Sequence, residues 1–232
     1  MQMPLSTTPL LWLTVTLAVF AVFEGISKRR NRHPLCHPVL LSTPTLAGLL
    51  WVTGTPYTIY SKATFSLSFM LGPAVVGLAL PIWQHRRQLY LLLVPIALSL
   101  LAGALTSVIT GVGMLMLFGA PRVLLATIAP RATTTPVAME LAGELGGIAP
   151  LAAVLVLVAG ILGAMIGLPA LRLIKCDDHK AIGFAMGVSA HGIGAAKAFQ
   201  IDPQAGVFAS LGLALNAIAT VSLLSLAATM IR

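Results

Sequence analysis

Charge is what this sequence has least of. Asp, Glu, Lys and Arg make up 9% of its 232 residues and hydrophobic residues 58%, whereas soluble globular domains carry about 25% charged residues. A soluble domain is excluded. Cysteine is nearly absent too. Cys36 and Cys176 are the only two, each beside a basic cluster expected on the cytoplasmic side, so no structural disulfide is expected. The metal-ligand spacings HExxH and CxxC are missing, and neither a metal nor another cofactor is expected. Segments of about ten residues alternating in hydropathy are missing as well, which removes the outer-membrane barrel.

What is present is a series of long apolar runs. Stretches of about 18 residues mark membrane-spanning helices, and the mean hydropathy of the chain is +0.97. The sequence predicts an all-α polytopic membrane protein, one domain over residues 1–232, with about seven transmembrane helices and one re-entrant hairpin. Crossings are expected over 10–27, 38–53 (interrupted by Ser42-Thr43-Pro44), 63–83, 89–118, 150–171, 180–201 and 207–231. The net charge of +8 would point to nucleic acid in a soluble protein. Here the basic residues fall in short loops, where they mark topology, and no nucleic-acid partner is expected. No basic region precedes the first run, and Lys28-Arg29-Arg30-Asn31-Arg32-His33 follows it. That favours an anchor with its N-terminus outside over a cleaved signal peptide. His85-Arg86-Arg87, Arg172 to Lys180 and Arg232 are then cytoplasmic.

Two polar islands interrupt this pattern. The stretch 122–148 contains Pro130-Arg131-Ala132-Thr133-Thr134-Thr135-Pro136 in its middle. Each half is about ten residues, or about 15 Å of helix, half of a ~30 Å hydrocarbon core. Proline breaks the helix, and both ends are expected outside, so a re-entrant hairpin with its tip at membrane depth is predicted. Pro136 suits the first residue of the second half-helix, with Thr135 as its cap. The other island is Gly187 to Lys197, where Ser189, His191, Gly192, Gly194 and Lys197 sit within an apolar run. Unpaired polar groups in hydrocarbon cost several kcal/mol, so these residues require partners or a cavity. The glycines suggest a local break, and the segment is expected to run outward to a turn at Asp202-Pro203.

Free N–H groups at half-helix N-termini favour an anion. Thr133, Thr134, Thr135, Pro136, Ser189, Gly192 and Gly194 suit a small carboxylate held by hydroxyls and backbone N–H groups, with Arg131, His191 or Lys197 supplying positive charge. His191, and with it Glu140, could carry a coupled proton. Each also has a plainer role. A lone membrane histidine can bond a neighbouring helix, Ser189 can bond its own i−4 carbonyl, and Lys197 can snorkel. Glu140 and Glu144 could partner Arg131 or lie at the outer surface, and glycines such as 103, 160, 163 and 167 suit close packing. Ser189 and His191 point about 200° apart on a helix and cannot form a nucleophile–base pair, so catalysis is not expected. Phe69-x-x-Gly72-x4-Gly77 and Phe184-x-x-Gly187-x4-Gly192 share one spacing in segments expected to run in opposite directions, which suggests an inverted repeat.

Over essentially its whole length the chain resembles the LrgB/CidB family of bacterial inner-membrane proteins. The resemblance rests on Gly72-Pro-Ala-Val-Val-Gly-Leu-Ala-Leu-Pro81, Thr134-Thr-Pro-Val-Ala-Met139, Gly146-Gly-Ile148, Gly160-Ile-Leu-Gly163 and His191-Gly-Ile-Gly194. The same domain occurs in the plastid glycolate/glycerate transporter. Thr134, Thr135 and His191 match the family's pattern. Ala132 and Ala195 stand where the family usually has hydroxyl residues, and the family's serine before the histidine is Ala190 here, with Ser189 one position earlier. The resemblance implies a multi-pass protein of the bacterial cytoplasmic membrane that transports small monocarboxylates such as pyruvate or glycolate. It also implies an LrgA/CidA-like small membrane partner, a homo- or hetero-oligomer, and a link to murein hydrolase control and autolysis. The alternative is a holin/antiholin-like regulator without a specific substrate.

Overall fold

A computed structural model describes residues 9–30, 33–77, 79–84 and 86–231. The N-terminal residues expected outside, Asn31 and Arg32, His85 and Arg232 lie outside the described residues. Those described form helices joined by short turns, with no strand among them. Four helices are long and apolar enough to cross a bilayer: Leu10–Arg29, Leu93–Leu117, Ala149–Leu173 and Pro203–Ala227, with Pro38–Val52 as a shorter apolar helix. The chain is an integral membrane protein. It divides into two compact units, Met1–Gly77 and Leu78–Arg232.

The first unit holds α1 (Pro9–Arg29), α2 (Pro38–Val52), α3 (Tyr57–Ala63) and α4 (Phe65–Gly77). Trp12 of α1 meets Tyr60 of α3 edge-to-face at 5.8 Å, and the Thr16 hydroxyl lies 3.2 Å from that of Tyr60. The interruption expected at Ser42-Thr43-Pro44 does not occur, because α2 continues through Pro44. Hydroxyls take up neighbouring carbonyls there, with Ser42 donating to Pro38 at 2.6 Å and Thr45 to Leu41 at 2.8 Å. Such bonds let membrane helices tolerate proline.

The second unit holds α5 (Ala79–Gln84), α6 (Arg86–Leu91), α7 (Leu93–Leu117), α8 (Arg122–Ile128), α9 (Thr135–Glu144), α10 (Ala149–Leu173), α11 (His179–Ile201) and α12 (Pro203–Ile231). α7 and α10 turn large apolar side chains outward, among them Leu98, Ile109, Val154 and Leu162, and bury small ones such as Ala104, Gly111, Ala152 and Gly160. Lipid covers the former, and the small residues let helices approach closely.

The break at 129–134 forms as the prolines require. The chain then returns beside α8, since the Ile148 N–H donates to the Thr127 hydroxyl at 2.9 Å. Residues 122–148 are therefore a helical hairpin.

The second island differs from expectation. α11 does not run through as one crossing. It turns back at His191, whose φ of 50° and ψ of −134° interrupt the helix, giving limbs 179–190 and 192–201. At the open ends His179 Nδ1 lies 3.5 Å from Asp202 Oδ2. The physical reason is a stripe of small residues. Gly194 presses on the Met186 carbonyl, and Ile182, Met186, Ala195, Ala198, Ala205 and Ala209 close into one cluster. A straight helix would leave these surfaces apart. The turn lies at His191 itself, not at Gly192 or Gly194, neither of which has a positive φ.

α12 consequently starts at the end where α11 starts. Gly187 sits on the Ala209 carbonyl with no room for a Cβ, Asn216 reaches Val188, and α12 runs parallel to the first limb and on past its tip. α10 joins the two hairpins. Its 25 residues span about 37 Å at 1.5 Å per residue, so the hairpin bases lie at opposite ends of α10. Gly160 and Gly163, halfway along it, contact Ala190 and the Ser189 carbonyl. The second tip is therefore at mid-depth.

Candidate functional site

The two hairpin tips meet, and Asn216 of α12 ties them together. Its Nδ2 donates to the Ala132 carbonyl of the first tip and to the Val188 carbonyl of the second, the latter at 3.3 Å. The His191 imidazole lies against the same Ala132 carbonyl. Proline starts this arrangement by ending α8, and the left-handed turn at His191 completes it by swinging the second limb away. α9 begins at the first tip. A helix start leaves its first N–H groups without intrahelical partners, so the Thr135 and Val137 N–H groups are available there and favour negative charge.

Four buried side-chain atoms on these segments have no hydrogen-bond partner: Thr134 Oγ1, His191 Nε2, Asn216 Oδ1 and Thr220 Oγ1. His191 is 4% exposed, Asn216 1% and Thr220 0%. Each such atom costs about 1–3 kcal/mol when nothing bonds it. Native proteins leave few buried polar groups unpaired. All four lie on the segments that meet at Ala132.

The expected site residues divide between this place and others. Thr134 and His191 belong to it. Thr133 is buried beside it, with its hydroxyl donated to the Pro130 carbonyl at 2.8 Å. Thr135 is not the cap. Thr134 occupies the cap position with extended backbone, Thr135 is the first helical residue and Pro136 the second. The Thr134 hydroxyl makes no capping bond and stays available.

Arg131 turns toward α7, where its guanidinium donates to the Ser107 carbonyl at 3.2 Å and the Thr110 hydroxyl at 2.9 Å. Among the described residues no ion pair joins it to Glu140 or Glu144, both of which are exposed. Ser189 is exposed and donates to the Ala185 carbonyl at 2.7 Å. Lys197 lies nearly two turns past the tip and bonds Gln200 at 3.3 Å. Gly192 faces open space, while Gly194 serves the packing of the two limbs.

Asn216 and Thr220 were not singled out in the sequence. The signal was an asparagine in an apolar run, with a threonine one turn on and on the same face.

The LrgB-like family profile matches residues 16–230. The chain belongs to the LrgB-like family. Among similar proteins, "Uncharacterized protein YwbG" of Bacillus subtilis is 32% identical over 201 residues, covering 86% of this chain and 89% of the relative. "Holin-like protein CidB" of Staphylococcus epidermidis is 29% identical over 208 residues, 90% of each. No solved structure matches. The family match runs through both hairpins and Asn216.

A cavity of about 250 Å³ lies at the base of the second hairpin, between the start of α7 and the α11–α12 pair. Leu92, Ile96, Phe184 and Phe208 give it apolar walls, with Asp178 and Lys180 at its edge. The Lys180 ammonium sits 5.8 Å from the Phe208 ring centroid. Phe184 and Val188 belong to one apolar cluster, so the cavity and the Val188 carbonyl lie along the same limb.

Proposed function

We propose that this LrgB-like protein is a membrane transporter for small organic anions, monocarboxylates of the size of pyruvate or glycolate, bound where the two hairpin tips meet. The observation that carries the reading is the set of unpartnered polar atoms at mid-depth between hairpins based at opposite ends of α10. The α9 N-terminus and the Thr134 hydroxyl supply donors for a carboxylate, and His191 Nε2 supplies one more when it carries hydrogen. Interrupted segments that enter from opposite sides leave a ligand reachable from either side after a small movement of one tip. Arg172, Lys175 and Lys180 put the second base in the cytoplasm by the positive-inside rule. The first hairpin is then re-entrant from outside, and the cavity at Lys180 is a cytoplasmic vestibule that attracts anions.

The test is binding. Pyruvate, glycolate or lactate should raise the melting temperature of the purified protein over a matched chloride control, by an amount corresponding to about 2.7 kcal/mol at one hundred times Kd. Thr134→Val should lose the shift. A melting temperature indifferent to all three acids would reject the reading.

A second reading is a holin-like regulator acting on murein hydrolases, with an LrgA/CidA-like partner subunit. It draws support from the names of the CidB relatives. It does not require unpartnered polar atoms at the tips, which is why transport ranks first.

A further inference from the structure

The carboxylate accounts for donors, yet two of the four unpartnered atoms are oxygens on α12. Asn216 Oδ1 is an acceptor only. Its orientation is settled by the protein, because turning the amide over would set Oδ1 against the Ala132 and Val188 carbonyl oxygens that Nδ2 now serves. A carboxylate group, which only accepts, cannot satisfy this oxygen. Thr220 lies one turn further on the same face and is fully buried. Thr16, Ser42, Thr110, Thr127, Ser189 and Ser210 all donate to their own i−4 carbonyls. Thr220 Oγ1 makes no bond. Its hydroxyl is thus held away from the usual local acceptor.

We propose that Asn216 Oδ1 and Thr220 Oγ1 form a binding site for a monovalent alkali cation, sodium, beside the hairpin tips. The first limb of α11 ends next to Asn216, which bonds its Val188 carbonyl, and the C-terminal carbonyls of that limb carry the negative end of the helix dipole. Oxygen ligands of this kind suit a hard cation. A divalent ion would call for carboxylates, and the described carboxylates nearest the tip in sequence, Glu140 and Glu144, are exposed. A single positive charge beside a bound carboxylate also lowers the cost of placing either ion at membrane depth. That coupling rests on the transport reading, whereas the cation site itself does not.

The experiment uses the full chain in detergent, melted in sodium chloride and in choline chloride of equal ionic strength, without any carboxylate. Sodium is expected to raise the melting temperature of wild type by at least ~3 °C. Thr220→Val should lose the shift, yet in choline melt at or above wild type, because it removes an unpartnered buried hydroxyl. Thr220→Ser, which keeps the oxygen, should restore the shift. Equal melting of wild type in sodium and choline, or a sodium shift that survives Thr220→Val, overturns the site. In liposomes sodium should lower the KM for a carboxylate at least fivefold, within the usual coupling range of about 5- to 150-fold. Saturable uptake indifferent to sodium would overturn the cation site and keep the transporter. Sodium stabilisation without uptake would keep the cation site and reject the transporter.

Discussion

The turn at His191 decides the topology, and the ends of α11 report on it directly. As one continuous helix, α11 with its 23 residues would be about 34 Å long. Folded back, it brings His179 Nδ1 within 3.5 Å of Asp202 Oδ2. Cysteines at 179 and 202, in a background with Cys36→Ser and Cys176→Ser, can be spin-labelled and measured by pulsed electron paramagnetic resonance. Label arms lengthen both values alike, so the difference, roughly 25 Å between backbones, is what the experiment reads. The substitutions remove a partly exposed pair, which contributes about 0–1 kcal/mol. They also remove the Asp202 Oδ1 that accepts from the Gln204 and Ala205 N–H groups at the start of α12, a cap worth about 0.5–2 kcal/mol. The labelled protein should be somewhat less stable but fold. A second pair at Ala149 and Leu173, the ends of unbroken α10, provides the long reference of about 36 Å. The 179–202 distance should be far shorter than this reference. Equal distances would refute the hairpin, and with it the meeting of two tips.

Other substitutions test the packing and the site. Gly187→Ala sets a methyl against the Ala209 carbonyl and should destabilise by about 1–3 kcal/mol. Gly113→Ala, where the space is open, should stabilise by up to ~1 kcal/mol; thermal melts compare the two. His191→Gly should melt above His191→Ala, because φ at this residue is 50° and relief of that strain is worth about 1–2 kcal/mol. Both should lose carboxylate binding, measured by ligand-dependent melting. Asn216→Leu removes the amide that bonds Ala132 and Val188 and should cost about 1–3 kcal/mol in denaturant unfolding. Lys180→Gln should slow anion entry from the cytoplasmic face and weaken its dependence on salt, read from initial uptake rates in oriented vesicles.

The helical membrane class was legible because lipid imposes one strong rule, long apolar runs, and α1, α7, α10 and α12 obey it. The first hairpin was legible because two prolines fall within seven residues: Pro130 follows the end of α8 and Pro136 opens α9, whereas the lone Pro44 is carried inside α2. The second hairpin was hidden. Its turn is made by a histidine in a conformation that the sequence does not announce, and its limbs close through glycine and alanine surfaces, which look the same in any tightly packed membrane helix. The site was half visible for the same reason. Thr134 and His191 stand out beside breaks. Arg131 stood out equally, but its long side chain reaches past the tip to Ser107 and Thr110, and no local pattern encodes that direction. Asn216 and Thr220 gained their meaning only when Ala132 and Val188, 84 and 28 residues away from Asn216, came to lie beside them.

Uptake by reconstituted liposomes tests the central claim most directly. Labelled pyruvate, glycolate and lactate would be offered to vesicles containing wild type, Thr134→Val or His191→Gln, with and without an LrgA-like partner. The account predicts saturable uptake of at least one of these acids by wild type and its loss in both variants. Uptake that survives both substitutions, or none by wild type even with the partner present, would contradict a carboxylate site at the meeting hairpin tips.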